Sequence, residues 1–115
     1  MSTIAPTIID AEAQITIATW AGLATGDDGA SIRYGGAADR TVQIVGTFGG
    51  ATVTMQGSLD GTNWASLTDV QGNAIAVTAA ALESITELVR YIRPVVTGGS
   101  GVSVTVMLLM RRTLG

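Results

Sequence analysis

The sequence predicts an all-β domain, a β-sandwich or jelly-roll-like barrel of about seven or eight short antiparallel strands with an N-terminal arm. Three observations carry this. Apolar residues recur at every second position far more often than at helical spacing, which is the period of a pleated strand. Fifteen glycines, about twice the average share, separate the alternating runs without forming a repeat. Helix formers are concentrated in one stretch, residues 79–88, which reads as a turn, a short 3₁₀ segment or loop. A chain of 115 residues fits one domain, read here as an extended arm over 1–13 and a single β domain over 14–115.

The elements follow in order. Residues 14–20 place Ile15 and Ile17 on one face of a strand and threonines on the other. Residues 20–39, with Gly22, Gly26, Asp27-Asp28-Gly29 and Gly35-Gly36, read as a long loop around a brief extended piece at 31–34. Residues 41–48 align Val42, Ile44, Gly46 and Phe48, and residues 51–58 set Val53 and Met55 against Thr52, Thr54 and Gln56. Gly49-Gly50 between them offers two positive-φ positions for a hairpin turn, and Asp60-Gly61 marks the next hairpin. Short strands are expected at 64–67 and 75–78. Residues 89–96 form another, placed at a sheet edge or bulged because Pro94 has no N–H for a ladder. Residues 102–111 close the domain.

Much catalytic chemistry is excluded by composition. His, Cys and Lys are all absent and every cation is one of six arginines. Thiolate and zinc-thiolate sites, imidazole acid–base chemistry and Schiff-base lysines go with them. The net charge of −3 and pI near 4.5 supply no basic field for nucleic acid. Despite a mean hydropathy of +0.44, no run reaches the roughly 18–20 apolar residues of a membrane span, so a soluble protein is expected. With no cation before Arg33, a secretory signal is not. No cofactor or metal is expected.

Carboxylates are the acid–base groups left. Asp27, Asp28, Asp39, Asp60 and Asp69 each lie beside glycine or in an expected turn, where Asp is favoured for bonding its own backbone. No spaced pair or Ca²⁺ ligand series stands out, and the enzyme reading is rejected. Gly57-Ser58-Leu59-Asp60-Gly61-Thr62-Asn63-Trp64 resembles the Ser-x-Asp-Gly-x-x-Trp hairpin of discoidin-type and other carbohydrate-binding β-sandwiches. That resemblance implies, as the alternative function, a sugar site at Asp60, Asn63 and Trp64, although an indole at such a turn more often packs beneath it.

Arg90, Arg93, Arg111 and Arg112 fall where two C-terminal strands end, and are read as one positive edge for a partner's carboxylates or as protection against strand pairing. Met107 and Leu109 lie opposite Val104, Val106 and Leu108 on the last strand, so both of its faces are apolar. A second apolar face requires a cover, which would be the arm, a neighbouring subunit or a larger assembly.

Val45-Gly46-Thr47-Phe48-Gly49-Gly50-Ala51-Thr52-Val53-Thr54-Met55-Gln56 continuing to Trp64, followed by Arg90-Tyr91-Ile92-Arg93-Pro94-Val95-Val96-Thr97-Gly98-Gly99-Ser100-Gly101, resembles small structural proteins of tailed bacteriophages over the last two-thirds of the chain. In size the chain is similar to capsid decoration (cement) proteins. The resemblance implies a non-enzymatic virion protein on the capsid surface, made in the bacterial cytoplasm, commonly a trimer, and bound to the major capsid protein; a tail or adaptor component is the other virion reading. It implies an arm reaching to a neighbour, with Ile4, Ile8, Ile9 and Trp20 as anchors beside Met107, Leu109, Arg111 and Arg112. On that basis deleting residues 1–13 should abolish particle binding and leave the β domain folded.

Overall fold

The computed structural model describes residues 2–12, 14–33, 39–87 and 89–111, apart from the side chains of Ala11 and Glu12. These residues form two stacked β-sheets, an all-β sandwich. From the N-terminus the strands are β1 (Thr3–Ile4), β2 (Thr7–Glu12), β3 (Ile15–Leu23), β4 (Asp28–Gly29), β5 (Ile32–Arg33) and β6 (Asp39–Thr47). They continue with β7 (Thr52–Ser58), β8 (Ala65–Ser66), β9 (Ala76–Val77), β10 (Ala81–Ser84), β11 (Tyr91–Thr97) and β12 (Ser103–Arg111). The first sheet runs β1-β4-β11-β7-β8, with β5 also on β11 and β9 on β7; the second runs β10-β6-β12-β3-β2. Several of the twelve strands are two-residue pieces, which is why the count exceeds the expected seven or eight.

The core lies between the sheets, where alternate residues of each long strand meet. Val104, Val106, Leu108 and Met110 of β12 pack against Val42 and Ile44 of β6, Val53 and Met55 of β7, and Val96 of β11. On β3 the buried set is Thr16, Ala18, Trp20 and Leu23, so the isoleucines at 15 and 17 face outward. A bulge lengthens β3 beyond Trp20: Trp20 pairs with Val106 and Leu23 with Val104, and Gly22 takes a φ of 71°.

The described part of the arm expected at residues 1–13, residues 2–12, is built into the sandwich. Ile4 packs on the core while β1 pairs parallel to β4, and β2 pairs antiparallel to β3. Within the 79–88 stretch, Ala81–Ser84 form a strand, β10, because pairing with Val42 and Gln43 of β6 outweighs the local helix propensity. Gly49 and Gly50 do take positive φ, 56° and 88°, but their turn links β6 of one sheet to β7 of the other and closes no hairpin. The Asp60-Gly61 loop does join a hairpin, β7 to β8.

Pro94 is neither at an edge nor in a bulge against its long neighbour: β11 lies between β7 and the β4/β5 pieces, in unbroken register with β7. On its other side β11 pairs with β5 at Tyr91 and Ile92 and with β4 at Val95, so Pro94 falls opposite the break between them. Gly29 lies against that ring. A Cβ there would stand 2.5 Å from Pro94 Cδ and 2.6 Å from Trp20 Cδ1.

Two stability outcomes follow from this packing. Gly29→Ala, at a backbone position that tolerates alanine, is expected to cost about 1–3 kcal/mol through overpacking, read as a lower urea midpoint with an unchanged slope. Deletion of residues 1–13 removes β1, β2 and the Ile4 contact, and is expected to lower the thermal midpoint by the equivalent of roughly 2–4 kcal/mol; an unchanged midpoint would restore the detachable arm.

Candidate functional site

The outward side chains of the β10-β6-β12-β3-β2 sheet form the candidate site. Cross-strand partners share a face, so two rows can be read from the register. Ile9, Ile17, Leu109, Thr41 and Ser84 stand side by side, and beside them run Thr7, Thr19, Met107, Gln43 and Leu82. Leu82 and Ile9 are 64% and 57% exposed. A depression of about 280 Å³ lies among Ile17, Thr41, Gln43, Leu82, Met107 and Leu109. It adjoins a larger cleft of about 620 Å³ toward Ile15, Val70 and Ile85, which shares Thr41 and Leu109. Arg111 and Asp39 flank that cleft, joined by two hydrogen bonds that include Arg111 Nε to Asp39 Oδ2 at 2.9 Å.

The expected anchors therefore separate. Ile9, Met107 and Leu109 share this face, with Arg111 at its end. Ile8 is exposed but pairs with Ala18 on the core side of β2. Ile4 packs on the core. Trp20 is fully buried, its Nε1 donating to the Ala30 carbonyl at 3.0 Å, and offers nothing to a partner. Arg112 lies outside the described residues. The single positive edge is not formed, because Arg93 and Arg111 belong to different sheets and pair with Asp28 and Asp39. Arg90 sits over the Tyr91 ring, 5.5 Å from its centroid.

Asp27, Asp69 and Glu87 are engaged in holding loops. Asp27 accepts the amides of Ser2 and Ala24, both at 2.9 Å, and fastens the N-terminus to the turn after β3. Asp69 accepts the Gln71 and Asn73 amides at 3.0 Å. Glu87 accepts the amide and hydroxyl of Thr68. The buried Arg40 donates to the carbonyls of Glu87 and Val89, binding the segment after β10 to β6, and desolvation lowers its pKa. Among the described residues no three Asp or Glu side chains gather where they could hold a metal ion.

The hairpin singled out for sugar is similarly occupied. Asp60 Oδ1 accepts the Thr62 and Asn63 amides and the Ser58 hydroxyl, all at 2.8 Å, and Oδ2 accepts the Asn63 amide group. One face of the Trp64 ring is covered by Arg93, whose guanidinium carbon stands 4.1 Å from the centroid while its Nε donates to Gln56. Asp60 thus spends both carboxylate oxygens on the loop, and Asn63 its side-chain nitrogen.

Ile15, Ile17, Gln43 and Leu82 are among the face residues that the sequence reading did not assign to a site. The signal for the isoleucines was present: Trp20 shares parity with Thr16 and Ala18, and burying so large an indole turns the odd-numbered isoleucines outward.

In architecture this is a β-sandwich of jelly-roll-like type. A cupin domain from Bordetella pertussis Tohama I superposes on 98% of this chain and 96% of its own length, with a TM-score of 0.53 at 12% identity. A protein of Neisseria meningitidis covers 94% of this chain and 82% of its own, with a TM-score of 0.45 at 10% identity. The first likeness shows the fold alone. Neither a protein family nor a curated protein matches the sequence. No helix among the described residues is long and apolar enough to cross a membrane.

The loop bonds give a pH dependence. Backbone and side-chain hydrogen bonds from Asn63, Thr62 and Ser58 hold Asp60 well below the usual carboxylate range. At Glu87 burial raises the pKa, but the Thr68 bonds outweigh it and the net shift is downward. In the unfolded chain both return to about 4, so their ionised forms stabilise the fold above that pH and the contribution is lost as pH falls through the lowered folded values. Asp60→Asn and Glu87→Gln are each expected to flatten the acid limb of stability, measured as urea midpoints across an acid series.

Proposed function

We propose that this protein is a non-catalytic structural component of a tailed-bacteriophage virion, a decoration protein that binds the major capsid protein on the head exterior and acts as a symmetric oligomer. The observation that carries the reading is the apolar outer face around Met107 and Leu109. A folded domain leaves such a face open where it meets another protein. The engagement of Asp27, Asp60, Asp69 and Glu87 in loop bonds agrees with a contact role, as does the resemblance of residues 45–64 and 90–101 to phage structural proteins. Many weak contacts repeated over a shell reinforce it through avidity, and symmetric homo-oligomers are the usual way to present them.

The test is co-sedimentation with empty heads of the phage whose genome carries this gene. Saturable binding and a higher melting temperature of the decorated shell are expected, with Leu109→Glu reducing occupancy at least about tenfold, because a charge on the apolar face breaks the oligomer whose avidity holds it to the shell. Absence of binding, or a gene located outside any phage genome, would refute the proposal.

A further inference from the structure

The sheet that carries the apolar face treats its edges and its face differently. Its two edge strands are blunted. β2 follows Pro6, is irregular after Asp10, and turns Asp10 to the core side, where the carboxylate accepts the Thr16 hydroxyl at 2.9 Å. β10 is four residues long and turns Glu83 to the core side opposite Val42. Short edge strands, irregularities and inward-turned charges are the devices that discourage edge-to-edge pairing. The outer face has no such protection. Among its described side chains the charges are Asp39 and Arg111, which cancel as an ion pair at one end.

We infer that the occupant of this face is a second copy of the same chain, packed sheet to sheet about a two-fold axis through the middle strand, β12. A two-fold contact lays a surface on itself, so a surface of one charge sign would be repelled, whereas an uncharged face with one balanced pair is compatible with its own image. The size agrees. Five strands about 4.8 Å apart, over roughly 20 Å of strand length, give on the order of 500 Å² per copy. Two copies bury about 1,000 Å², the lower limit for a specific interface. Stacked sheets lie about 10 Å apart with interleaved side chains; Met107 and Leu109 stand at the centre of such a stack, with Leu82 and Ile9 toward its margins.

The inference rests on the reading of this protein as a contact protein and is narrower than it: the two-fold pair forms without any shell, through a face that the sequence resemblance alone would have assigned to a trimer or to the capsid. Light scattering on the purified full chain at high micromolar concentration should give twice the 11.7 kDa chain mass. Met107→Glu and Leu82→Glu should each weaken association roughly tenfold or more by burying an unpaired charge, returning the monomer mass with the circular dichroism of the wild type and a melting temperature that no longer rises with protein concentration. Thr97→Glu, on the exposed end of β11 in the opposite sheet, should leave the pair intact. A wild-type monomer overturns the inference, as does a trimer or a dimer indifferent to both face variants. A monomer that still saturates phage heads overturns this inference and leaves the virion reading standing; a dimer that never binds heads does the reverse.

Discussion

The packing of Trp20 against Gly29 and Pro94 is the constraint on which the rest of the sandwich depends. The indole is fully buried between the sheets and its Nε1 needs an acceptor. The Ala30 carbonyl supplies it because the edge beyond β11 is broken there into β4 and β5. Pro94, opposite that break, has no N–H to place an ordinary ladder demand on it. Gly29 is required in turn, since a Cβ would run into both rings. The amide of Ala30 donates to Ile4 and that of Asp28 to Ser2, so the same segment carries β1. One buried ring thereby settles why the N-terminal residues join the sheet and why a proline is tolerated inside it.

Trp20 also decides the direction of β3, and this is where sequence legibility stops. Period-two alternation locates the long strands well, because a pleated strand must show it. Alternation alone does not say which face is inward when Thr16 and Ala18 compete with Ile15 and Ile17. Burial of the largest side chain in the set settles it, at the expense of two isoleucines left half-exposed. Gly49-Gly50 shows a related limit: positive φ is a local property that glycine reveals, but the same dihedrals serve a hairpin and a corner between sheets. Ala79–Leu88 shows a third. Its helix formers describe a local preference, and the free edge of β6 overrides it.

The site was legible in one respect and opaque in another. Met107 and Leu109 signalled a second apolar face from within a single strand, without knowledge of its neighbours. Its extent was not visible, because Ile9, Ile17 and Leu82 reach it only through the registers of β2, β3 and β10. The aspartates were legible as loop residues because an Asx side chain bonds the backbone two or three residues onward, as Asp60 and Asp69 do here. Asp27 reaches Ser2 across 25 residues, a partnership that local pattern does not reveal.

β12 separates the core from the outer face through parity. Its even residues, Val104, Val106, Leu108 and Met110, are buried between the sheets, and its odd residues, Met107 and Leu109, are half-exposed on the outer face. The strand is therefore apolar on both sides, and only the even side is covered within the described residues of the chain. Cross-strand pairing carries this parity to β6, where Ile44 lies beside Val106 and Gln43 beside Met107. A side chain shortened on the even set removes core packing and is paid in folding free energy, while a charge added on the odd set leaves that core untouched. The two properties can vary independently along a single strand because adjacent side chains never share a face. A chain this poor in charge can thus keep a packed interior and still leave an apolar outer face, with Asp10 and Glu83 placed on the edge strands, where indiscriminate pairing would begin.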